Sequence, residues 1–203
     1  MRLVALADTH GHHEGYAVPD GDVLVHAGDL TRRGTRAELE RVADWLRSLP
    51  HRHKVLIAGN HDFWCQGRAA EAKALFHGLT YLEDEEAVVG GLRVYGSPWQ
   101  PWFHDWAFNA RRGPELDALW QRIPAGLDLL ITHGPPMGYG DRIHRGERVG
   151  CEDLLRHLTR AQPRVHCFGH IHEDTGRWQH RATTLVNCST AECELPAAVL
   201  ELG

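Results

Sequence analysis

Val55-Leu56-Ile57-Ala58-Gly59-Asn60-His61-Asp62 is an apolar run that ends abruptly in a glycine and three residues of metal-binding or acid–base type. A short continuous apolar run without polar alternation reads as a strand covered on both faces. The same arrangement recurs along the chain. Leu3 to Ala7 runs into Asp8-Thr9-His10, and Val23 to Ala27 into Gly28-Asp29. Leu127 to Thr132 runs into His133-Gly134, and Val165 to Phe168 into Gly169-His170-Ile171-His172. In α/β sheets ligands bind beyond the carboxyl ends of strands, so these tips are expected to converge on one crevice.

Helical patterns separate the strands. From Thr35 to Leu49, Leu39, Val42, Leu46 and Leu49 share a face, Thr35-x-x-Glu38 forms a capping box, and Pro50 follows the end. Further helices are expected over Arg68 to Phe76, Pro114 to Ile123 and Cys151 to Thr159. Gly90-Gly91 between Ala87-Val88-Val89 and Leu92-Arg93-Val94-Tyr95 signals a hairpin. Thr184 to Asn187 and Ala197 to Leu202 read as closing strands. No repeat or linker divides the chain, so residues 1–203 are expected to form a single domain. Trp99 to Gly113 and Gly134 to Gly150 lack regular pattern and are the candidate substrate loops.

Apolar residues make up 42% of the 203 residues and charged residues 24%, which fits an ordinary globular domain. A formal charge of −5 gives no general attraction to nucleic acid. No apolar run reaches the length of a membrane helix, and Asp8 interrupts the N-terminal run too early for a secretion signal; a cytoplasmic protein is expected. The five cysteines are odd in number and lack a C-x-x-C pair, so reduced thiols are expected rather than disulfides or structural zinc. Sixteen histidines are an unusual number. Histidine is the commonest metal ligand, which directs attention to those at the strand tips.

In Asp8-x-His10 and His170-x-His172, residues two apart just past a strand point to the same side. Glycines 28, 59 and 169 permit the close turns that bring the following side chains in. Carboxylates, imidazoles and an amide oxygen suit ions such as Mn, Fe or Zn. Taken singly, each motif is an ordinary turn. Their occurrence in order, each at a strand end, argues for a metal site.

The ordered set D-x-H, G-D, G-N-H-D, H and G-H-x-H resembles the calcineurin-like metallophosphoesterases, and it spans Asp8 to His172. The resemblance implies an α/β fold of four layers (αββα), a two-sheet β-sandwich flanked by helices, with two divalent metals about 3.5–4 Å apart. It assigns Asp8, His10 and His172 to one metal, Asn60, His133 and His170 to the other, and Asp29 to both. His61 would be catalytic, assisting the leaving group while a hydroxide bridging the metals attacks phosphorus. Asp62 is a supporting neighbour or, more plainly, a surface acid. Mn is the first expectation for the metal, with Fe, Zn, Ni, Co and Mg as alternatives.

Protein phosphatases of the superfamily continue the second motif as G-D-x-x-D-R-G, whereas this chain reads Gly28-Asp29-Leu30-Thr31-Arg32-Arg33-Gly34 and lacks the second acid. The segments Tyr95-Gly96-Ser97-Pro98-Trp99-Gln100-Pro101-Trp102-Phe103, Thr132-His133-Gly134-Pro135-Pro136 and Arg148-Val149-Gly150-Cys151 resemble the metallophosphoesterase-domain-containing proteins of vertebrate brain and their bacterial relatives. That resemblance implies hydrolysis of a small phosphodiester or nucleotide, including a cyclic nucleotide. The net charge and the lack of a long apolar run add the expectation of no membrane partner and no strong nucleic-acid affinity. The alternatives are a phosphomonoesterase or nuclease of the same superfamily, or a catalytically decayed metal-binding interaction protein. Some vertebrate members carry glycine at the position of His170, so its presence implies a complete second metal site.

Among the remaining residues, Trp99, Trp102, Phe103, Trp106 and Phe108 are expected mainly to pack, with one or two meeting substrate. Arg111 and Arg112 are phosphate-contact candidates or plain surface arginines. His12 and His13 are candidate substrate contacts, and His26 is expected to be a hydrogen-bonded core histidine.

Overall fold

The computed structural model describes residues 1–203. In chain order the elements are β1 (Arg2–Leu6), β2 (Val23–Ala27), α1 (Arg36–Ser48), β3 (His53–Ile57), α2 (Ala69–Leu75), β4 (Thr80–Tyr81), β5 (Glu85–Val89) and β6 (Leu92–Ser97). There follow β7 (Gln100–Pro101), β8 (Asn109–Ala110), α3 (Pro114–Trp120), β9 (Leu129–Thr132), α4 (Glu152–Ala161), β10 (Val165–Phe168), β11 (Gly176–His180), β12 (Thr183–Asn187) and β13 (Ala198–Glu201).

Two main sheets form, one of five strands ordered β13-β1-β2-β3-β4 and one of six ordered β11-β12-β10-β9-β6-β5. The strand period of two sorts the apolar residues into layers. Leu3, Ala5, Val23, Val25, Val55 and Ile57 meet Val94, Leu129, Ile131, Val165 and Cys167 between the sheets. Val4, Leu6, Leu24 and Leu56 turn the other way, onto Leu39, Val42 and Leu46 of α1 and Ala72 of α2. Tyr95, Leu130 and Phe168 turn onto Leu116 and Trp120 of α3 and Leu154 and Leu158 of α4. The result is helix, sheet, sheet, helix. Each large side chain buried in these interfaces contributes roughly 1.5–3 kcal/mol.

Helix α1 begins as its sequence requires. Thr35 caps it and Glu38 completes the reciprocal capping box, while Leu49 leaves the helix in an extended conformation ahead of Pro50. The hairpin stands at Gly90-Gly91, with Val89 opposite Leu92. The strand starting at Leu127 in the sequence reading begins instead at Leu129; Leu127 packs toward the helices on the outer face of the six-stranded sheet. The segment from Trp99 to Gly113 is not wholly irregular, because β7 and β8 pair within it. The five chemistry-bearing tips also do not belong to one open sheet. Strands β1, β2 and β3 lie in the smaller sheet, whereas β9 and β10 lie in the larger, so the crevice forms where the carboxyl ends of two stacked sheets adjoin.

No helix is long and apolar enough to cross a membrane. All five cysteines are free thiols.

Candidate metal centre

The tips are held in conformations that the backbone adopts only under constraint. Asp8, His10, Asp29 and His170 have φ of 56°, 44°, 53° and 71°, a left-handed region that costs a non-glycine residue of order 1–3 kcal/mol. Hydrogen bonds between neighbouring tips hold them there. The Asp8 amide donates to the Gly28 carbonyl (3.0 Å) and the His10 amide to that of Asp29 (3.0 Å). The His61 amide donates to Asp29 Oδ1 (2.8 Å) and the His170 amide to Asp8 Oδ2 (2.9 Å). At Gly169 a Cβ would lie 2.5 Å from both Ala7 Cβ and Asp8 Oδ2, so only glycine lets these strands approach so closely.

Three overlapping groups of ligating atoms result: Asp8 with His10 and His172, His10 with Asp29 and His61, and Asp29 with His133 and His170, each group within 4.8 Å. Asp29 lies between its neighbours, with Oδ2 3.7 Å from His10 Nε2 and Oδ1 3.4 Å from His133 Nε2. His10 and His172 present their Nε2 atoms to each other at 3.4 Å. Asn60 joins through Oδ1, 2.8 Å from His133 Nε2.

The donor set fits a cation. His133 Nδ1 donates to the Ala27 carbonyl (3.0 Å), so Nε2 faces the oxygens of Asn60 and Asp29 and, once its proton is lost, offers them only a lone pair. Acceptors facing acceptors require positive charge among them. The same demand shows in the titration of the residues. Burial alone would lower His133, but the Asp29 carboxylate outweighs it and pushes the imidazole up to about 9. Burial works to raise Asp29, yet His133 and then His10 hold it far below the usual carboxylate range. Burial pushes His170 down to about 3 and lowers His10, so both rings present unprotonated nitrogens.

The sequence matches the calcineurin-like phosphoesterase family over residues 1–174. The chain belongs to that family. It is 43% identical over 213 residues to metallophosphoesterase domain-containing protein 1 of Homo sapiens, an alignment covering 93% of this chain and 65% of the relative. The chain thus spans slightly under two thirds of that relative's length. A probable cyclic nucleotide phosphodiesterase of Synechococcus is 29% identical over 191 residues, covering 90% of this chain and 69% of the relative. The crystal structure of TT1561 of Thermus thermophilus shares the fold, with a TM-score of 0.65 at 15% identity over 98% of each chain.

The chain has a cavity of about 780 Å³ over its candidate ligand cluster, lined by His10, Asp29, Asn60, His61, His170 and His172. Both candidate substrate loops reach it. The first supplies Pro101, Trp102, Phe103, Trp106 and Arg112, and the second Pro135, Ile143, His144 and Val149. His61 Nδ1 donates to the Arg32 carbonyl (2.8 Å), and its ring lies against Trp106 at 4.3 Å, so Nε2 is the nitrogen left for the cavity.

Several expectations need correction. His12 and His13 do not line this cavity: His12 lies 3.8 Å from Glu192, and His13 is buried against Trp45 at 4.9 Å. Asp62 is no surface acid but fully buried, and it accepts from the amides of Leu30, Thr31 and Gly59 and from the Thr31 hydroxyl. His26, by contrast, is the hydrogen-bonded core histidine expected, buried with one nitrogen bonded to Thr9 Oγ1 (3.0 Å), although its Nδ1 has no partner. Sequence reasoning did not single out Glu173, which lines the cavity beside His172; its adjacency to the last motif was the available signal.

Proposed function

We propose that this phosphoesterase hydrolyses small phosphodiesters, nucleotides among them, at a dinuclear site. The carrying observation is the scarcity of fixed positive charge in the cavity. Arg112 is the only arginine that lines it, and no lysine does. The Arg112 guanidinium is already engaged, donating to the carbonyls of Gly150 (2.6 Å) and Val149 (2.7 Å) and to Glu152 (2.8 Å). Arg33, the arginine of the G-D-x-x-D-R-G comparison, is exposed and outside the cavity. Glu173 adds an acid. A monoester dianion needs more cationic compensation than a diester monoanion, and a diester brings a second organic substituent that suits apolar walls. The name of the Synechococcus relative is consistent with this reading.

Asp8, His10 and His172 would hold one ion and Asn60, His133 and His170 the other, with Asp29 shared; Mn²⁺ is the ion we propose for this oxygen and nitrogen set. When bound, such ions supply Lewis-acid polarisation of the phosphoryl oxygens and water acidic enough to react near neutral pH. The residues of the chain do the rest. In hydrolysis water oxygen forms the new bond to phosphorus, one ester P–O bond breaks, and the departing oxygen takes a proton. His61 is placed to give it from Nε2 when its ring carries both protons: the Arg32 carbonyl holds the Nδ1–H and orients Nε2, and the ring is left neutral with its proton on Nδ1. The Leu30, Thr31 and Gly59 backbone contacts to Asp62 keep the turn carrying Asn60 and His61 against the turn carrying Asp29.

The test compares Mn-loaded wild type and Asp29→Asn on bis-p-nitrophenyl phosphate and p-nitrophenyl phosphate, with elemental analysis. Wild type is expected to hold about two ions per chain and Asp29→Asn to lose ions and about 100-fold or more in kcat/KM. Preference for the monoester would overturn the diester reading. Unchanged activity in Asp29→Asn would overturn the site.

A further inference from the structure

The aromatic residues of the 99–113 segment separate by what each ring touches. Trp99 donates from its indole nitrogen to Asp84 (2.8 Å) and meets the buried Phe108 edge-on at 5.7 Å. These two pack the loop onto the domain. Phe103 sets its edge against His170 at 5.0 Å, and Trp106 lies against His61 at 4.3 Å with an interplanar angle of 31°. Both brace residues of the site. Trp102 does neither. It is 54% exposed, yet it lines the cavity.

Its setting is built. The Trp102 amide donates to the Ala110 carbonyl (2.9 Å) immediately after the β7–β8 pairing, so the backbone is fixed. The Arg111 guanidinium lies 5.9 Å from the ring centroid, within cation–π range. A large indole left half in water gains by covering its remaining surface with a flat apolar partner. The backbone anchor also removes much of the ordering cost that such stacking would otherwise incur.

We propose that Trp102, backed by Arg111, is the stacking platform for a planar aromatic substituent of the phosphodiester, a nucleobase or an aryl group. The proposal rests on the phosphodiester reading and adds a specificity-determining residue to it. Stacking of one base on one aromatic side chain corresponds to about 5- to 150-fold in affinity.

The experiment uses the full Mn-loaded chain as wild type, Trp102→Ala and Trp102→Phe. The substrates are bis-p-nitrophenyl phosphate, adenosine 3′,5′-cyclic phosphate and the alkyl diester glycerophosphoethanolamine. In wild type, KM for at least one aromatic diester should lie below that for the alkyl diester, and Trp102→Ala should shrink this ratio about 5- to 150-fold, with Trp102→Phe restoring most of it. Which aromatic substrate responds tells nucleobase from aryl recognition. An equal change for all three substrates, or none, overturns the platform while leaving the phosphodiester reading intact. Failure of wild type on all three overturns the phosphodiester reading instead. Stacking is then judged by equilibrium dialysis with adenosine monophosphate, where equal binding by wild type and Trp102→Ala overturns it.

Discussion

Asp62 shows how much one buried carboxylate does for the groups around it. Its oxygens accept from the Leu30, Thr31 and Gly59 amides at 3.1, 3.0 and 2.8 Å and from the Thr31 hydroxyl at 2.7 Å. Burial, then the charge of Asp29, push its carboxyl up to about 6, while those donors act in the opposite sense. Asp62→Ala would strand buried donors in two turns at once, each costing roughly 1–3 kcal/mol. We therefore expect a loss of about 3 kcal/mol or more in urea unfolding together with reduced Mn retention. Loss of stability with full metal content and kcat would refute a role in shaping the site. In the sequence Asp62 reads only as the last letter of Gly59-Asn60-His61-Asp62. Its partners Leu30 and Thr31 lie about thirty positions upstream, a pairing that only tertiary structure creates.

Helix and strand ends divide into those that carry stability and those that carry the site. The Thr35–Glu38 box closes the start of α1, which packs on the outer face of the five-stranded sheet and supplies no cavity residue. Thr35→Ala should cost about 1 kcal/mol of stability and leave kcat/KM unchanged. Gly169→Ala should do the reverse in emphasis, because its methyl would press on Asp8 within 2.5 Å. Metal content and diester turnover would fall before the unfolding midpoint moves far; a fall in the midpoint alone would contradict this division. Elements whose cues are local were legible in the sequence: α1 through its cap and apolar face, β5 and β6 through Gly90-Gly91, and β1, β2, β3, β9 and β10 through unbroken apolar runs. Strand β11 was not, since Arg177, Gln179 and the partly covered Trp178 and His180 form an edge strand with no apolar run to betray it. The allocation of strands to two sheets was likewise unreadable from periodicity, because covered strands look alike in either sheet.

Across the whole molecule, the buried imidazoles govern the response to acid. His26 donates toward Thr9 Oγ1, beside Asp8 and His10, and His166 toward Thr132 Oγ1, beside His133, one such pair in each sheet. Burial is the leading cause that pushes both down to about 3. Their neutral forms are favoured in the folded chain, so their contribution is complete above the unfolded value of about 6.5 and is lost as pH falls toward about 3. The metal-free protein should show a falling urea midpoint from pH 7 to pH 4, and His166→Leu should flatten that slope. An unchanged slope would mean that His166 takes up a proton in the fold. The candidate ligands also draw together distant parts of the chain, His10 and His172 being 162 positions apart with their Nε2 atoms separated by 3.4 Å. A cation gripped by both therefore acts as a reversible cross-link that closes most of the chain into a loop, and such a closure restricts the unfolded chain as a disulfide would. On the ribosome this makes metal loading a late event. A growing chain holds Asp8, His10, Asp29 and Asn60 long before His170 and His172 emerge, so the site is completed only after the segment through His172 has been synthesised.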